Sequence, residues 1–367
     1  MREFRLGTHV RMGPDALTAL DEFASRRVFL VTDEFLSTTP VFARVLERLG
    51  QRVTRFTDVV PNPTIATISK GVAVYLEARP DVVVAYGGGS VMDAAKAMHK
   101  AALDSGFGAT EGLIAIPTTS GSGSEVTSFA VLTDERTHTK IPLVSPDMVA
   151  RLAILDPEAV IGVPPRITAD SGMDVLTHAV EAYVSTGACD FSDALAEKAV
   201  ELVFVHLVRC YTHGEDRDAR GHMHNASCLA AMAFDNVGLG ITHSLAHALG
   251  GHFPIAHGRL NAMLLPHVVA FNAERSTVAR ARYARLGRLV TPSATGSAAV
   301  TSLLAGIRRL NQQLGIPELI VEAGVAQDEF RAAIDQMASS ALEDGCTPSN
   351  PVQPTREDLV LLLRKIG

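Results

Sequence analysis

The chain has 367 residues, of which 47% are hydrophobic and 20% charged, and its formal net charge is -7. It exceeds the roughly 250 to 300 residues at which a single core stops growing, so two domains of ordinary globular composition are expected. The acidic balance, without Lys/Arg runs, argues against nucleic-acid and anionic-membrane partners. The sequence lacks a membrane-length apolar run, a signal-peptide core and any C-x-x-C pair, so we expect a cytoplasmic protein with no membrane partner, disulfide or thiolate zinc site.

The chain shows two successive patterns of hydrophobic residues. Up to about residue 160, β-branched runs such as "RVFLVTD" alternate with amphipathic helical stretches such as "TTPVFARVLERLG", which is typical of a parallel sheet covered on both faces. After Pro164 and Pro165 the strand patterns end, and Ala/Leu-rich segments of helical period continue. The sequence predicts a Rossmann-like α/β domain over residues 1–163 and an all-α domain over residues 164–367.

An acidic residue ends the first clear strand, "VFLVTD", at Asp33. In a nucleotide-binding sheet such a carboxylate hydrogen-bonds an adenosine ribose and repels the 2′-phosphate of NADP, which favours NAD. The alternative is that Asp33 only caps the next helix.

A glycine-rich turn, Gly87-Gly88-Gly89-Ser90, joins the strand "DVVVAY" to the helix "VMDAAKAMHKAAL". Its backbone and the helix N-terminus suit a pyrophosphate, although a purely structural turn is as good an interpretation of this motif alone. A second candidate is the hydroxyl-rich stretch "IPTTSGSGSEVTSFAVLTD" with Thr118 and Thr119, which predicts either a loop closing over a polar ligand or a surface loop.

Histidines gather in the second half of the chain. Asp174 and His178 lie four residues apart on a predicted helix, His243 and His247 have the same spacing, and His257 follows a glycine-containing connection. One carboxylate and three imidazoles suit Zn²⁺ or Fe²⁺. Spacing alone leaves these five residues as candidates for about four positions.

Four ordered motifs carry a resemblance: "GGGSVMDAAK", "IPTTSGSGSEVTSFAVLTD", "ITADSGMDVLTHAVEAY" and "GLGITHSLAHALGGHFPIAHGRLNAMLLPHVVAFN". Together they resemble the iron-dependent (group III) alcohol dehydrogenase family, from about residue 5 to the end of the chain. Within it, "SGMDVLTHAVEAYVSTGACDFSDALAEKAVELVF" and "MHNASCLAAMAF" look closest to the propanol dehydrogenases of 1,2-propanediol-degrading microcompartments. The resemblance implies a dehydroquinate synthase-like architecture with an NAD-binding first domain and a metal-binding second domain.

The resemblance also implies the roles of individual residues. The metal, Fe²⁺ or Zn²⁺, is assigned to Asp174, His178, His243 and His257, and His247 is then the catalytic residue that relays a proton. NAD is assigned to a cleft between the domains, with the contacts Asp33, Asn62, Gly88, Gly89, Ser90, Asp93, Thr118, Thr119, Thr127 and Lys140. Pro254, Ala256 and Arg259 depart from the family pattern, which bears on the shape of the substrate pocket.

The implied function is an NAD- and divalent-metal-dependent alcohol dehydrogenase that interconverts a short-chain primary alcohol, such as propanol, and its aldehyde. A metal- and NAD-dependent lyase or cyclase of the same architecture is an alternative. Such an enzyme should carry several Lys or Arg residues near the metal to bind a phosphorylated substrate, and the ligand motifs contain only Arg259. A polyol dehydrogenase would have a different set of metal ligands. A non-catalytic shell protein of a microcompartment would need neither the metal ligands nor the nucleotide-binding loops. The implied partners are a small alcohol or aldehyde, a second copy in a homodimer, and an enzyme of a microcompartment.

Overall fold

The computed structural model describes residues 3–136 and 139–367. The chain divides into two compact units, one over Arg5–Gly162 and the other over Val163–Gly367 together with the N-terminal residues up to Phe4. No helix within the described ranges is both long enough and apolar enough to cross a lipid bilayer.

The first unit is built on a parallel sheet. In chain order the strands are β1 (His9–Met12), β2 (Val28–Val31), β3 (Val53–Phe56), β4 (Val82–Gly87), β5 (Leu113–Pro117), β6 (Phe129–Asp134), β7 (Thr139–Val144) and β8 (Leu152–Leu155). Six of them form the sheet in the order β1-β8-β5-β4-β2-β3, and every neighbouring pair in it is parallel. Strands that are buried on both faces consist of consecutive apolar residues, as β4 and β5 do.

Helices cover both faces of this sheet. They are α1 (Pro40–Leu49), α2 (Ile65–Ala78) and α3 (Gly89–Asp104), with a 3₁₀ helix over Ala16–Phe23. Tyr75 of α2 packs edge-on against Phe29 in the core on one face, with ring centroids 5.3 Å apart. Phe42 of α1 and Leu30 lie in the core on the other face. The predicted α/β class of the first half is confirmed.

A hairpin was not predicted from the sequence. β6 and β7 pair antiparallel, from Phe129 with Val144 to Asp134 with Thr139, and form a separate two-stranded sheet. The hydroxyl-rich stretch of residues 116–134, which contains β6, was predicted to form a loop. The burial of β6 alternates along the strand, which is the period-2 pattern of a strand covered on one face.

The second unit is helical, as predicted. Its helices are α4 (Pro165–Val184), α5 (Asp190–Thr212), α6 (Arg217–Val237), α7 (Ile241–His252), α8 (His257–Arg275), α9 (Thr277–Val290), α10 (Gly296–Gln313), α11 (Gln327–Glu343) and α12 (Arg356–Leu363). α4 begins with Pro165 in its first turn, where proline lacks only an N–H that needs no partner. It is buried almost throughout from Thr168 onward and packs against α5, α6 and α8, so it is the central helix of this unit.

Candidate metal centre and nucleotide-binding residues

The five metal-ligand candidates lie on three helices of the second unit. α4 carries Asp174 and His178 one turn apart, α7 carries His243 and His247 one turn apart, and His257 is the first residue of α8. Asp174, His178 and His243 are buried, whereas the side chain of His257 is 40% exposed. One end of the predicted ligand set is therefore accessible to a small molecule.

A close approach of two helices brings His257 to Asp174. A Cβ atom at Gly258 would lie 2.0 Å from the backbone oxygen of Asp170 on α4, a separation that real side chains do not tolerate. Only glycine lets the first turn of α8 lie directly on α4 at this height. The "HG" pair thus supplies both a candidate ligand, His257, and the glycine contact that positions it.

The donor atoms of Asp174, His178 and His243 lie within 4.8 Å of one another, and His257 approaches this group at Asp174. Asp174 Oδ1 lies 3.8 Å from His243 Nε2 and 3.7 Å from His257 Nε2, and Asp174 Oδ2 lies 3.9 Å from His178 Nε2. Four tetrahedral donors at about 2.1 Å from one ion are roughly 3.4 Å apart, so each of the three imidazole nitrogens lies only a few tenths of an ångström further from Asp174 than a shared cation requires. A carboxylate with three imidazoles fits a borderline divalent ion such as Fe²⁺ or Zn²⁺.

A carboxylate that the sequence analysis missed holds His243. Glu181, fully buried on α4, has its Oε2 2.6 Å from His243 Nδ1 and accepts the backbone N–H groups of Gly240 (2.9 Å) and Thr242 (2.7 Å). An ionised carboxylate can only accept, so His243 Nδ1 donates to Glu181, and the Nε2 lone pair of the neutral ring is left to face Asp174. The sequence signal was present, since Glu181 follows His178 by three residues on the same helix.

The electrostatics of this set suit a cation. Burial by itself raises the pKa of the Asp174 carboxyl, but the imidazoles of His178, His257 and His243 outweigh it, so the pKa lies below its usual value. Burial, and after it the neighbouring His178 and His257, hold the pKa of His243 well below its usual value. Metal binding requires an ionised carboxylate and unprotonated imidazoles, and the pKa shifts of Asp174 and His243 are both in that direction.

His247 has a different environment from the other four candidates. Its ring stacks on that of His257 with centroids 5.2 Å apart, and its side chain is 44% exposed. Nδ1 lies 2.9 Å from Oδ2 of Asp344, a carboxylate far away in sequence that also accepts the Ser244 hydroxyl and the Cys346 N–H. Asp344 orients the ring from one side and leaves Nε2 for other partners.

In the first unit, the glycine-rich turn lies at a point where the direction of the sheet connections changes. From β2 the chain passes outward to β3 on one side, and from β4 it passes outward to β5 on the other, while β2 and β4 are neighbours. The carboxyl ends of two such strands form the crevice in which open α/β sheets bind ligands. Asp33 follows β2 and Gly88 follows β4, so both lie at this edge.

Three of the predicted NAD contacts touch one another here. Asn62, in a left-handed conformation with φ 58°, donates its backbone N–H to Ser90 Oγ over 3.3 Å. Lys140 Nζ lies 2.5 Å from Asn62 Oδ1 and 3.1 Å from Thr133 Oγ1. Burial lowers the pKa of Lys140, and Asp93 partly opposes this effect. Residues from α3, from the β3–α2 connection and from β7 thus form one polar cluster beside the helix N-terminus.

The second motif packs directly on the first. Gly88 and Gly89 cap and begin α3. A Cβ atom at Gly88 would lie 3.2 Å from Thr119 Oγ1, and one at Gly89 would lie 3.1 Å from Ser122 Oγ. Thr118 is buried, and its N–H donates to the Gly87 carbonyl over 3.0 Å. The hydroxyl-rich loop and the turn form one surface, so the two motifs share a location.

Some of the residues predicted to contact NAD form hydrogen bonds to other residues of the protein. The Asp93 carboxylate accepts the Ser124 hydroxyl (2.9 Å) and the Val131 N–H (3.1 Å), which ties α3 to the loop and to β6. Buried Thr127 receives the ammonium of Lys96 on its carbonyl (2.8 Å) and hydroxyl (3.0 Å). Asp33 Oδ1 accepts the Leu36 N–H over 2.7 Å, the capping role named as its alternative.

The comparisons with known proteins agree with this architecture. The family description "Iron-containing alcohol dehydrogenase" matches residues 7–157, and "Fe-containing alcohol dehydrogenase family, C-terminal" matches residues 168–367. The "1-propanol dehydrogenase PduQ" of Salmonella typhimurium is 42% identical over 371 residues, covering 100% of both chains. The "NADPH-dependent butanol dehydrogenase" of Clostridium saccharobutylicum is 36% identical, covering 98% of this chain and 96% of its own.

A solved structure titled "1,3-propanediol oxidoreductase" superposes with a TM-score of 0.93 at 33% identity, covering 100% of both chains. The family resemblance read from the motifs is confirmed. The chain belongs to the iron-containing alcohol dehydrogenase family and is an oxidoreductase that acts on the CH–OH group of alcohols.

Proposed function

We propose that this protein interconverts a short-chain primary alcohol, such as 1-propanol, and its aldehyde, with NAD as the hydride carrier. In this proposal one divalent cation, Fe²⁺ or Zn²⁺, is held by Asp174, His178, His243 and His257. The observation that carries the proposal is the cluster formed by the donor atoms of Asp174, His178 and His243, with His257 Nε2 3.7 Å from the Asp174 carboxylate.

The substrate assignment is supported by the full-length likeness to a protein named 1-propanol dehydrogenase. When bound, a divalent cation acts as a Lewis acid on the substrate oxygen, and NAD accepts or donates the hydride. The part-exposed edge of the ligand set at His257 admits a small substrate. His247 exchanges one proton at Nε2 with the substrate oxygen, directly or through a water, while Asp344 holds its ring from Nδ1.

The alternative of a lyase or cyclase is disfavoured by the state of Arg259. Its Nε donates to Asp170 Oδ1 over 2.9 Å, and the two side chains are only 14% and 11% exposed. The one cation of the ligand motifs that could hold a phosphorylated substrate is therefore neutralised within the protein. This pairing supports a small uncharged substrate instead.

The test is anaerobic purification with metal analysis, followed by NADH-dependent reduction of propionaldehyde. We expect about one equivalent of metal per chain, loss of activity on chelation, and recovery with either Fe²⁺ or Zn²⁺; the restoring ion identifies the cofactor. If the protein contains metal but consumes NADH with no short aldehyde, the dehydrogenase proposal for propanol is wrong and the lyase becomes the candidate.

We further propose that the protein acts as a homodimer. β1 lies at one edge of the sheet, and Met12 at its end is 64% exposed. An open edge strand offers unpaired backbone groups to a second copy across a two-fold axis. Light scattering after size-exclusion chromatography should give twice the mass of the chain, and the mass of a single chain would refute this proposal.

A further inference from the structure

Asn261 lies one turn after His257 on α8 and is fully buried. Its side-chain nitrogen is 2.7 Å from Asp174 Oδ1, 3.1 Å from His257 Nε2 and 3.2 Å from His243 Nε2. Three of the four proposed metal ligands thus lie within hydrogen-bond distance of a single amide group.

The other end of the same side chain has no such partner. Asn261 Oδ1 is buried and makes no hydrogen bond to any described residue. Burying a carbonyl without a partner costs stability, so a residue that only filled space at this position would be apolar. The polar function of Asn261 is therefore directed entirely at the ligand set.

We propose that Asn261 is a positioning residue of the metal site, which donates an N–H to Asp174 and fixes the carboxylate in the orientation that the cation requires. This inference rests on the proposed function. An amide nitrogen offers two hydrogens and no lone pair to a metal, so its role is to donate rather than to ligate. A carboxylate oxygen has two lone pairs, so Asp174 Oδ1 could accept this N–H with one of them and offer the other to a cation.

The arrangement also explains how the donors stay together. Asp174 comes from α4, His243 from α7 and His257 from α8, and the amide contacts one donor atom from each of the three helices. Groups that orient metal ligands in this way typically change metal affinity by about 10- to 100-fold when they are removed. Asn261 therefore sets affinity and coordination geometry rather than the chemistry itself.

The experiment compares Asn261→Leu, which keeps the approximate volume and removes every polar atom, with a matched control. Asn311 is also buried, donates its amide to the Ala262 carbonyl over 2.7 Å, and has an unpartnered Oδ1, but it touches no ligand. Asn311→Leu therefore reproduces the loss of a buried amide without removing a contact to any proposed ligand atom. Zn²⁺ affinity is measured by competition with a chromophoric chelator, and the coordination geometry is measured from the visible spectrum of bound Co²⁺.

We expect Asn261→Leu to bind Zn²⁺ about 10- to 100-fold more weakly than the wild type and to change the Co²⁺ spectrum. Asn311→Leu should leave both unchanged. Asn261→Ala is the second variant if Leu prevents folding, as judged by circular dichroism, and the same loss is expected. Wild-type affinity and spectrum in a folded Asn261 variant overturn the inference alone, whereas a wild-type protein that binds neither ion overturns the proposed metal site as well.

Discussion

At the scale of single residues, His243 and His247 are two imidazoles one turn apart on α7 that are held by different carboxylates. Glu181 contacts Nδ1 of the buried His243, and Asp344 contacts Nδ1 of the exposed His247. In both rings Nε2 is left for another partner. For His243 that partner is the ligand cluster around Asp174, and for His247 it lies on the accessible side. Burial and position, not the chemistry of the ring, therefore distinguish the proposed ligand His243 from the proposed proton relay His247.

Asp33 allows a test of cofactor choice with one charge. Asp33→Asn keeps an oxygen to accept the Leu36 N–H and removes only the negative charge. If the carboxylate repels the 2′-phosphate of NADP, the ratio of kcat/KM for NADP to that for NAD should rise roughly tenfold or more. An unchanged ratio in steady-state assays with both cofactors would mean that Asp33 serves only as a cap.

Glu125 predicts a pH dependence of stability. It is fully buried in the first unit, and burial raises its pKa to about 7, although Lys96 partly opposes this effect. Because its pKa is raised in the native state, Glu125 contributes most to folding stability when it is protonated. This contribution to stability is complete below the unfolded pKa of about 4.5 and is lost as the pH rises through 7. The carboxyl of Glu125 therefore destabilises the protein at alkaline pH.

Glu125→Gln should therefore gain stability relative to wild type between about pH 4.5 and 7, by about 3 kcal/mol at most. The difference should stay constant above about pH 8. Urea unfolding of both proteins from pH 4 to 9 measures it, and Glu135→Gln, an exposed carboxyl, controls for the loss of one charge. A difference that does not vary with pH would show that Glu125 is ionised throughout.

At the scale of elements, the ligand set depends on how α8 lies on α4. Gly258 touches the Asp170 carbonyl region, one turn before Asp174, and Asn261 contacts Asp174 one turn further along α8. The ion pair between Arg259 of α8 and Asp170 of α4 links the same two helices beside this contact. Three successive contacts along one helix pair therefore determine where His257 points.

Gly258→Ala should separate these helices, because the added methyl group cannot occupy a position 2.0 Å from a backbone oxygen. We expect a Tm lower by several degrees and Zn²⁺ binding weakened at least tenfold, since His257 moves away from Asp174. Gly251→Ala is the control, because that glycine lies on α7 and a Cβ atom there would have no neighbouring atom within 4 Å. It should retain metal binding and gain slightly in stability from its higher helix propensity. Equal metal affinity in both variants would contradict this account.

At the scale of the whole molecule, periodicity was sufficient to predict a parallel α/β half and a helical half, because buried strands and amphipathic helices leave clear patterns. Periodicity did not predict the β6–β7 hairpin, because β6 lies at the end of a stretch that was predicted to be a loop from its Ser, Thr and Gly content. Spacing narrowed the metal ligands to five residues but could not exclude His247. Sequence spacing did not identify Asp344, which is 97 residues away from His247, or Asn261. Their contacts form only where separate helices pack against each other.

A cation that binds only the folded protein should stabilise the second unit specifically. At a free Zn²⁺ concentration of about 1,000 times Kd, the stabilisation is about 4 kcal/mol by mass action. Hydrogen exchange followed by mass spectrometry should then show greater protection in α4, α7 and α8, the helices that carry the proposed ligands, and little change in the sheet strands β2, β4 and β5. His257→Ala should lose most of that protection, because one donor is missing. Equal protection of the sheet strands and these helices would mean that the cation binds outside the four-ligand cluster, and the metal-centre proposal would fail even if activity depended on metal.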